Sequence, residues 1–231
     1  MTPEPWLSNW NYHLLQTLFA LLPHNSYVDA TFEFINRNRL VSTWIFALTF
    51  YLFWRIEDTL TECRRTRLLQ IVVAFVLAVA LSFAVRPWIN WPAPAMQFRF
   101  RELYPKYFWG NGTPDSFPSH STLTYFVVSM GLWPVSRRAS VVLTGLVVPL
   151  VVLPRVYVGG HYPIDVLASI ILAVFALLLV WQWDVPARIR RTLGPKSTRP
   201  LLREALLLLW VFELGQEFGG IVGIIGSFQH L

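Results

Sequence analysis

Three short stretches of this 231-residue chain carry polar residues of the kind that handles phosphate. The first is Arg86-Pro87 and the second is 116-SFPSHST-122. The third, 154-PRVYVGGHYPIDVLAS-169, sets Arg155, His161 and Asp165 close together between two apolar runs. Guanidinium groups are planar forks that match phosphate oxygens, which suits Arg86 and Arg155 to binding them. Ser119 adds a hydroxyl near a helix start, where open backbone N–H groups favour anions. His161 and Asp165 are four apart and share one face of a helix. A carboxylate bonded to one imidazole nitrogen fixes the tautomer and raises the basicity of the other, as a nucleophilic histidine requires. Gly159-Gly160 allows close backbone approach to a ligand, with Gly160 the expected contact. His120 is a second histidine suited to general acid work. The set points to a phosphate or diphosphate monoester: arginines stabilise charge, one histidine attacks, and the other protonates the leaving oxygen.

The elements that must position these residues follow from composition. The chain is 55% hydrophobic and 14% charged, against roughly 25% charged in soluble domains. With a mean hydropathy of +0.47, this is the composition of an integral membrane protein. The net charge of +6 comes almost wholly from arginine, since Lys106 and Lys196 are the only lysines. The basic residues cluster at the ends of apolar runs, so they suit lipid headgroups and topology rather than nucleic acid. The single cysteine, Cys63, excludes an internal disulfide and a cysteine-rich metal site. The N-terminus lacks a basic n-region and a small-residue cleavage site, so no cleavable signal is expected.

A spanning helix needs about 20 mostly apolar residues. Five runs meet or approach that length: 40–55, 68–86, 120–135, 139–157 and 164–183. Pro149 and Pro154 within the fourth read as kinks. Residues 10–23 are either an interfacial helix or a short first span. In 201–228, Glu213, Gln216 and Glu217 interrupt the run. That segment reads as a sixth span with buried acids, an interfacial helix, or a helix pair broken at Gly219-Gly220. The expectation is an all-α, polytopic membrane helix bundle of five or six spans, forming a single domain over 1–231 with a basic linker at 186–200. Arg64, Arg65 and Arg67, then Arg137 and Arg138, then the basic residues of 188–199 mark the cytoplasmic side. The three polar stretches then share the opposite face. Charges at a membrane edge are costly and are functional candidates. The bland alternatives are snorkelling anchors for the arginines and a simple N-cap for Ser119.

The pattern Arg-x5-His-x3-Asp at 155–165, preceded by a PSxH-like element and by Arg-Pro, resembles the type 2 phosphatidic acid phosphatase superfamily. Its members include lipid phosphate phosphatases and bacterial undecaprenyl-diphosphate phosphatases. The motifs cover about residues 79–169; the flanks match only in hydropathy. The resemblance implies a phosphohistidine at His161, Asp165 as its partner, His120 as proton donor, Arg86 and Arg155 as phosphate ligands, and no metal or cofactor. It also implies a lipid phosphate or diphosphate as substrate, in a bacterial inner membrane with the site facing outward. Two departures stand out. The family's first-motif lysine is replaced by Val79, leaving Lys106, Arg99 or Arg101 as substitutes. PSHS stands where the family has PSGH, so either His120 or Ser121 takes the motif-two histidine place. A phosphotransferase using the same histidine and a non-catalytic lipid-phosphate binder are the alternative readings.

Overall fold

The computed structural model describes residues 5–22, 24–57, 59–89, 91–109, 115–182 and 200–216. Those residues form eleven α-helices. In chain order they are α1 (Pro5–Leu21), α2 (Ser26–Arg37), α3 (Arg39–Ser42), α4 (Trp44–Arg55), α5 (Thr61–Val85) and α6 (Phe98–Arg101). There follow α7 (His120–Gly131), α8 (Arg137–Val147), α9 (Leu153–Tyr157), α10 (Pro163–Trp181) and α11 (Pro200–Gly215). No strand occurs among the described residues. The expected all-α membrane bundle is therefore the observed one.

Three stretches are long and apolar enough to cross a membrane: Thr61–Trp88, Arg137–Tyr157 and Pro163–Trp181. They correspond to the second, fourth and fifth hydropathy runs. The first run divides between α3 and α4, and the third is carried by α7. The centre of the bundle is α5, α7 and α10 packed on one another, with α8 against α7 and α4 between α5 and α11. Small residues let these helices approach closely. Ala74, Ala78, Ala173 and Ala176 are fully buried. At Gly131 a Cβ would lie 2.8 Å from Ile71 and 3.2 Å from Leu177.

Two helix boundaries differ from the hydropathy reading, each for a local reason. Helix α5 begins seven residues before the apolar run at Leu68, because its polar first turns are used by α4. Arg65 Nε donates to the Trp54 carbonyl at 3.1 Å, and Arg64 Nη1 donates to the Ile56 carbonyl at 3.1 Å. These are carbonyls that a helix C-terminus leaves without intrahelical donors. The fourth run is not one regular helix. Between α8 and α9 the chain widens into a π-type turn over Val148–Val152, where Pro149 has no N–H to give; Pro154 then falls inside α9.

A second apolar cluster sits at the end of the bundle where α5 ends and α7 and α10 begin. It joins Trp91, Phe100, Tyr104, Phe108 and Phe117 of the outer loops to Tyr157 and Tyr162. Helix α1 belongs to this layer. Arg99 Nη1 donates to Ser8 Oγ, Asn11 Oδ1 accepts from the Ile164 N–H, and Leu15 is fully buried in the cluster. These contacts hold α1 against the layer. Helix α11 runs unbroken through Glu213, which is only 6% exposed. It is fastened to the bundle where Tyr125 Oη donates to the Leu214 carbonyl at 2.6 Å and Thr43 Oγ1 to that of Gly215 at 2.7 Å. Glu217, Gly219-Gly220 and the linker of 186–199 lie outside the described residues.

Candidate active site

Each polar stretch ends or begins a central helix at the same end of the bundle. Arg86 closes α5, Ser119 and His120 open α7, Arg155 lies in α9, and His161 and Asp165 open α10. Hydrogen bonds join the second and third stretches. Ser169 Oγ, one turn past Asp165, donates to the Asp165 carbonyl at 2.7 Å or to the Ser119 carbonyl at 3.0 Å, so it pins α10 to the start of α7.

His161 is held by its Nδ1. The nearest acceptor is the Ser116 carbonyl at 2.9 Å; Asp165 Oδ2 lies farther off at 3.7 Å. A carbonyl only accepts, so Nδ1 carries the proton and Nε2 keeps its lone pair. Asp165 is fully buried and satisfied elsewhere. Its Oδ2 accepts from the Tyr162 N–H at 2.8 Å and its Oδ1 from Trp91 Nε1 at 3.3 Å. The carboxylate thus stands behind the imidazole as a charge, while the main chain of Ser116 makes the orienting bond.

His120 is the first residue of α7, half-buried, with its ring 5.5 Å from that of Phe83. It lies within electrostatic reach of Arg86 and His161. PSHS thus sets both candidates, His120 and Ser121, in the first turn of α7. Ser119 takes the N-cap position without a side-chain cap bond; it is fully buried and its Oγ accepts from Thr122 Oγ1 at 2.9 Å.

Arg86 pairs with Asp115, both side chains a little under a third exposed. Arg155 is buried, and its Nη1 donates to the Val151 carbonyl at 3.3 Å. The turn from Arg155 to His161 is fixed by the Gly160 N–H, which donates to the Arg155 carbonyl at 2.8 Å. Gly160 therefore serves the turn, with its N–H already engaged. Gly159 takes φ +80, and a Cβ there would lie 2.4 Å from that of Ala95. Tyr162 follows His161; burial first, then the Asp165 charge, pushes its phenol far above the ordinary range and keeps it neutral.

The candidate substitutes for the first-motif lysine lie in the outer loop. Val79 is packed against the apolar core, and its carbonyl accepts from Ser82 Oγ at 2.8 Å. Lys106 is exposed in an outer turn. Arg99 binds Ser8 and Asn9, and Arg101 lies over the Trp109 ring at 5.4 Å. Among the described residues no group of three or more His, Cys, Asp or Glu is arranged to hold a metal. Sequence reasoning missed four contributors: Asp115, the Ser116 carbonyl, Trp91 and Ser169. Ser116 opens the 116–122 stretch, Asp115 precedes it, and Ser169 is one helical turn beyond Asp165, so proximity in sequence was a signal for three of them.

A helical membrane bundle with arginines, two histidines and a buried aspartate gathered at one end defines a recognisable class. Residues 67–189 match the PAP2 superfamily, and the chain belongs to that family. Among curated proteins it is similar to undecaprenyl-diphosphatase BcrC of Bacillus subtilis (strain 168), with 24% identity over 176 residues, 75% of this chain and 84% of the relative. Among solved structures it resembles Aquifex aeolicus LpxE, with a TM-score of 0.55 and 16% identity over 75% of this chain and 96% of that one. It also resembles a transmembrane PAP2-type phosphatidylglycerolphosphate phosphatase from Bacillus subtilis, with a TM-score of 0.50 and 16% identity over 78% of this chain and 86% of that one.

Proposed function

We propose that this protein is an integral membrane phosphatase that hydrolyses a phosphomonoester or diphosphate of a lipid through a phosphohistidine at His161. The observation that carries the reading is the Nδ1 bond of His161 to the Ser116 carbonyl, which leaves Nε2 as a free nucleophile in a family of phosphatases. Nε2 attacks phosphorus in line, the bond from phosphorus to the leaving oxygen breaks, and that oxygen takes a proton from His120. The negative charge of bound phosphate favours the protonated form of His120 that this step needs. Water then attacks the phosphohistidine, His120 takes its proton, the P–N bond breaks, and inorganic phosphate leaves. Arg86 and Arg155 hold the equatorial oxygens and stabilise the charge of both transition states. Asp165 stabilises the imidazolium side of each step from behind.

The guanidinium pair supplies the charge that a metal ion would otherwise supply, so full activity is expected in excess EDTA. The site faces away from the arginine-rich ends of α5 and α8, which corresponds to the periplasm or exterior of a bacterial inner membrane. The named substrates of relatives, undecaprenyl diphosphate and phosphatidylglycerolphosphate, head the panel to be tried, with phosphatidate and a lipid A phosphate beside them. Phosphate release by the purified protein in detergent tests the reading. His161→Ala should lower turnover by at least about a thousandfold, the scale on which loss of a nucleophile is felt. Undiminished release from that variant would sink the assignment; binding of the lipids without turnover by the unaltered protein would favour a non-catalytic role.

A further inference from the structure

A second polar cluster lies outside the phosphate site and is used by none of the steps above. Asp29 of α2 is 6% exposed. Its Oδ1 accepts from Tyr157 Oη at 2.7 Å and from His24 Nδ1 at 2.6 Å, and its Oδ2 accepts from Tyr107 Oη. The four residues come from four places: the α1–α2 turn, α2, an outer loop and α9. Aromatic rings close the cluster. His24 lies 4.7 Å from Phe19 and 4.4 Å from Tyr157, and Phe32 stacks on Tyr157 at 4.4 Å. His24 Nε2 is buried without a hydrogen-bond partner, so its ring is spent on this contact rather than on solvent.

What Tyr157 anchors is the helix of Arg155. Two residues are roughly 200° apart on a helix, so Tyr157 and Arg155 occupy opposite faces of α9. That helix is only five residues long, contains Pro154, and follows the π-type turn with Pro149. It is the last turn of the Arg137–Tyr157 stretch, and each proline removes a backbone donor, so its hold on the rest of that helix is weakened. It needs an outside anchor at its end nearest the phosphate site.

We infer that Asp29 is a positioning residue for the phosphate site: through Tyr157 it clamps α9 and thereby sets the placement of Arg155. The inference rests on the proposed function for its role in turnover, but the clamp itself does not. His24 and Asp29 lie before the family-matched residues 67–189, so the N-terminal segment would contribute a part to a site made otherwise by the family core.

The test uses the full chain in detergent with Asp29→Asn, Tyr157→Phe and Arg155→Lys, and orthovanadate as the phosphate probe. Tyr157→Phe removes one hydroxyl and keeps the ring, so it guards against simple misfolding. The inference expects faster amide exchange over residues 151–160 in both clamp variants. It also expects an orthovanadate inhibition constant raised about threefold or more, within the range of measured couplings between connected residues. On the Arg155→Lys background, Asp29→Asn should add little further loss. Wild-type exchange and inhibition in both clamp variants would overturn the inference, as would losses that add fully to that of Arg155→Lys. Should the unaltered protein hydrolyse no lipid phosphate, the proposed function fails, and the exchange measurement alone still decides whether Asp29 clamps α9.

Discussion

Trp91 touches the site with both its ends: its carbonyl accepts the Ser116 N–H at 2.9 Å, and its indole donates to Asp165. It therefore joins the segment that orients His161 to the carboxylate behind it. Trp91→Phe keeps the ring packing and leaves one lone pair of a buried carboxylate unmet. The cost of such an orphan is about 1–3 kcal/mol, and a thermal melt should show it together with reduced phosphate release. Asp115 acts in the other direction. It covers Arg86 with an internal anion, which on the proposed function an incoming phosphate must displace. Asp115→Asn should lower the orthovanadate inhibition constant about two- to fivefold, the worth of a partly exposed ion pair; a weaker inhibition would show that the pair positions Arg86 instead. The motif residues themselves were legible because their types and spacing are local. Trp91 was not, since nothing in sequence ties it to a carboxylate 74 positions away.

The elements were legible wherever a helix is defined by its own hydropathy. Helix α10 matches its run within two residues at each end. The readings diverged where one element completes another, as at the polar start of α5, whose arginines bond α4, and at α1, whose place is set by Arg99 and Ile164 rather than by its own apolarity. The turn between α9 and α10 is a tight spot of this kind. Gly159 takes a left-handed conformation against Ala95, and its carbonyl accepts the Ala95 N–H at 3.1 Å. Gly159→Ala combines backbone strain of about 1–3 kcal/mol with a collision that moves the outer loop. The expected result is a lower melting temperature and a loss of turnover larger than the stability change explains. A melt and a turnover equal to those of the unaltered protein would mean that the loop yields freely.

At the scale of the whole molecule, the outer layer depends on ionised Asp29. Burial raises its pKa, but hydrogen bonds from Tyr107, His24 and Tyr157 outweigh that and hold it below the usual carboxylate range. Burial, then the contact with Asp29, pushes the Tyr107 phenol up to about 12, so the phenol stays a donor at every ordinary pH. A depressed carboxylate stabilises the fold fully above its ordinary value and ceases to do so as pH falls through the depressed one. Melting temperatures taken from pH 7 down to pH 3 should therefore fall less steeply for Asp29→Asn than for the unaltered protein; parallel curves would remove Asp29 from the acid response. Tyr157 lies 128 positions from Asp29, which is why no reading of local pattern finds this cluster. The opposite end of the bundle carries a consequence of a different kind. Arg64 and Arg65 are 9% and 5% exposed, yet on the proposed orientation they belong to the charges that keep this end in the cytoplasm. A charge can steer insertion only while the translocating chain still presents it to headgroups and solvent. These two arginines thus have successive employments: guides while the chain is threaded, then mortar between α4 and α5. Afterwards the exposed Arg137 and Arg138 still meet the lipid surface, while on the proposed orientation this part of the signal has been sealed inside the protein.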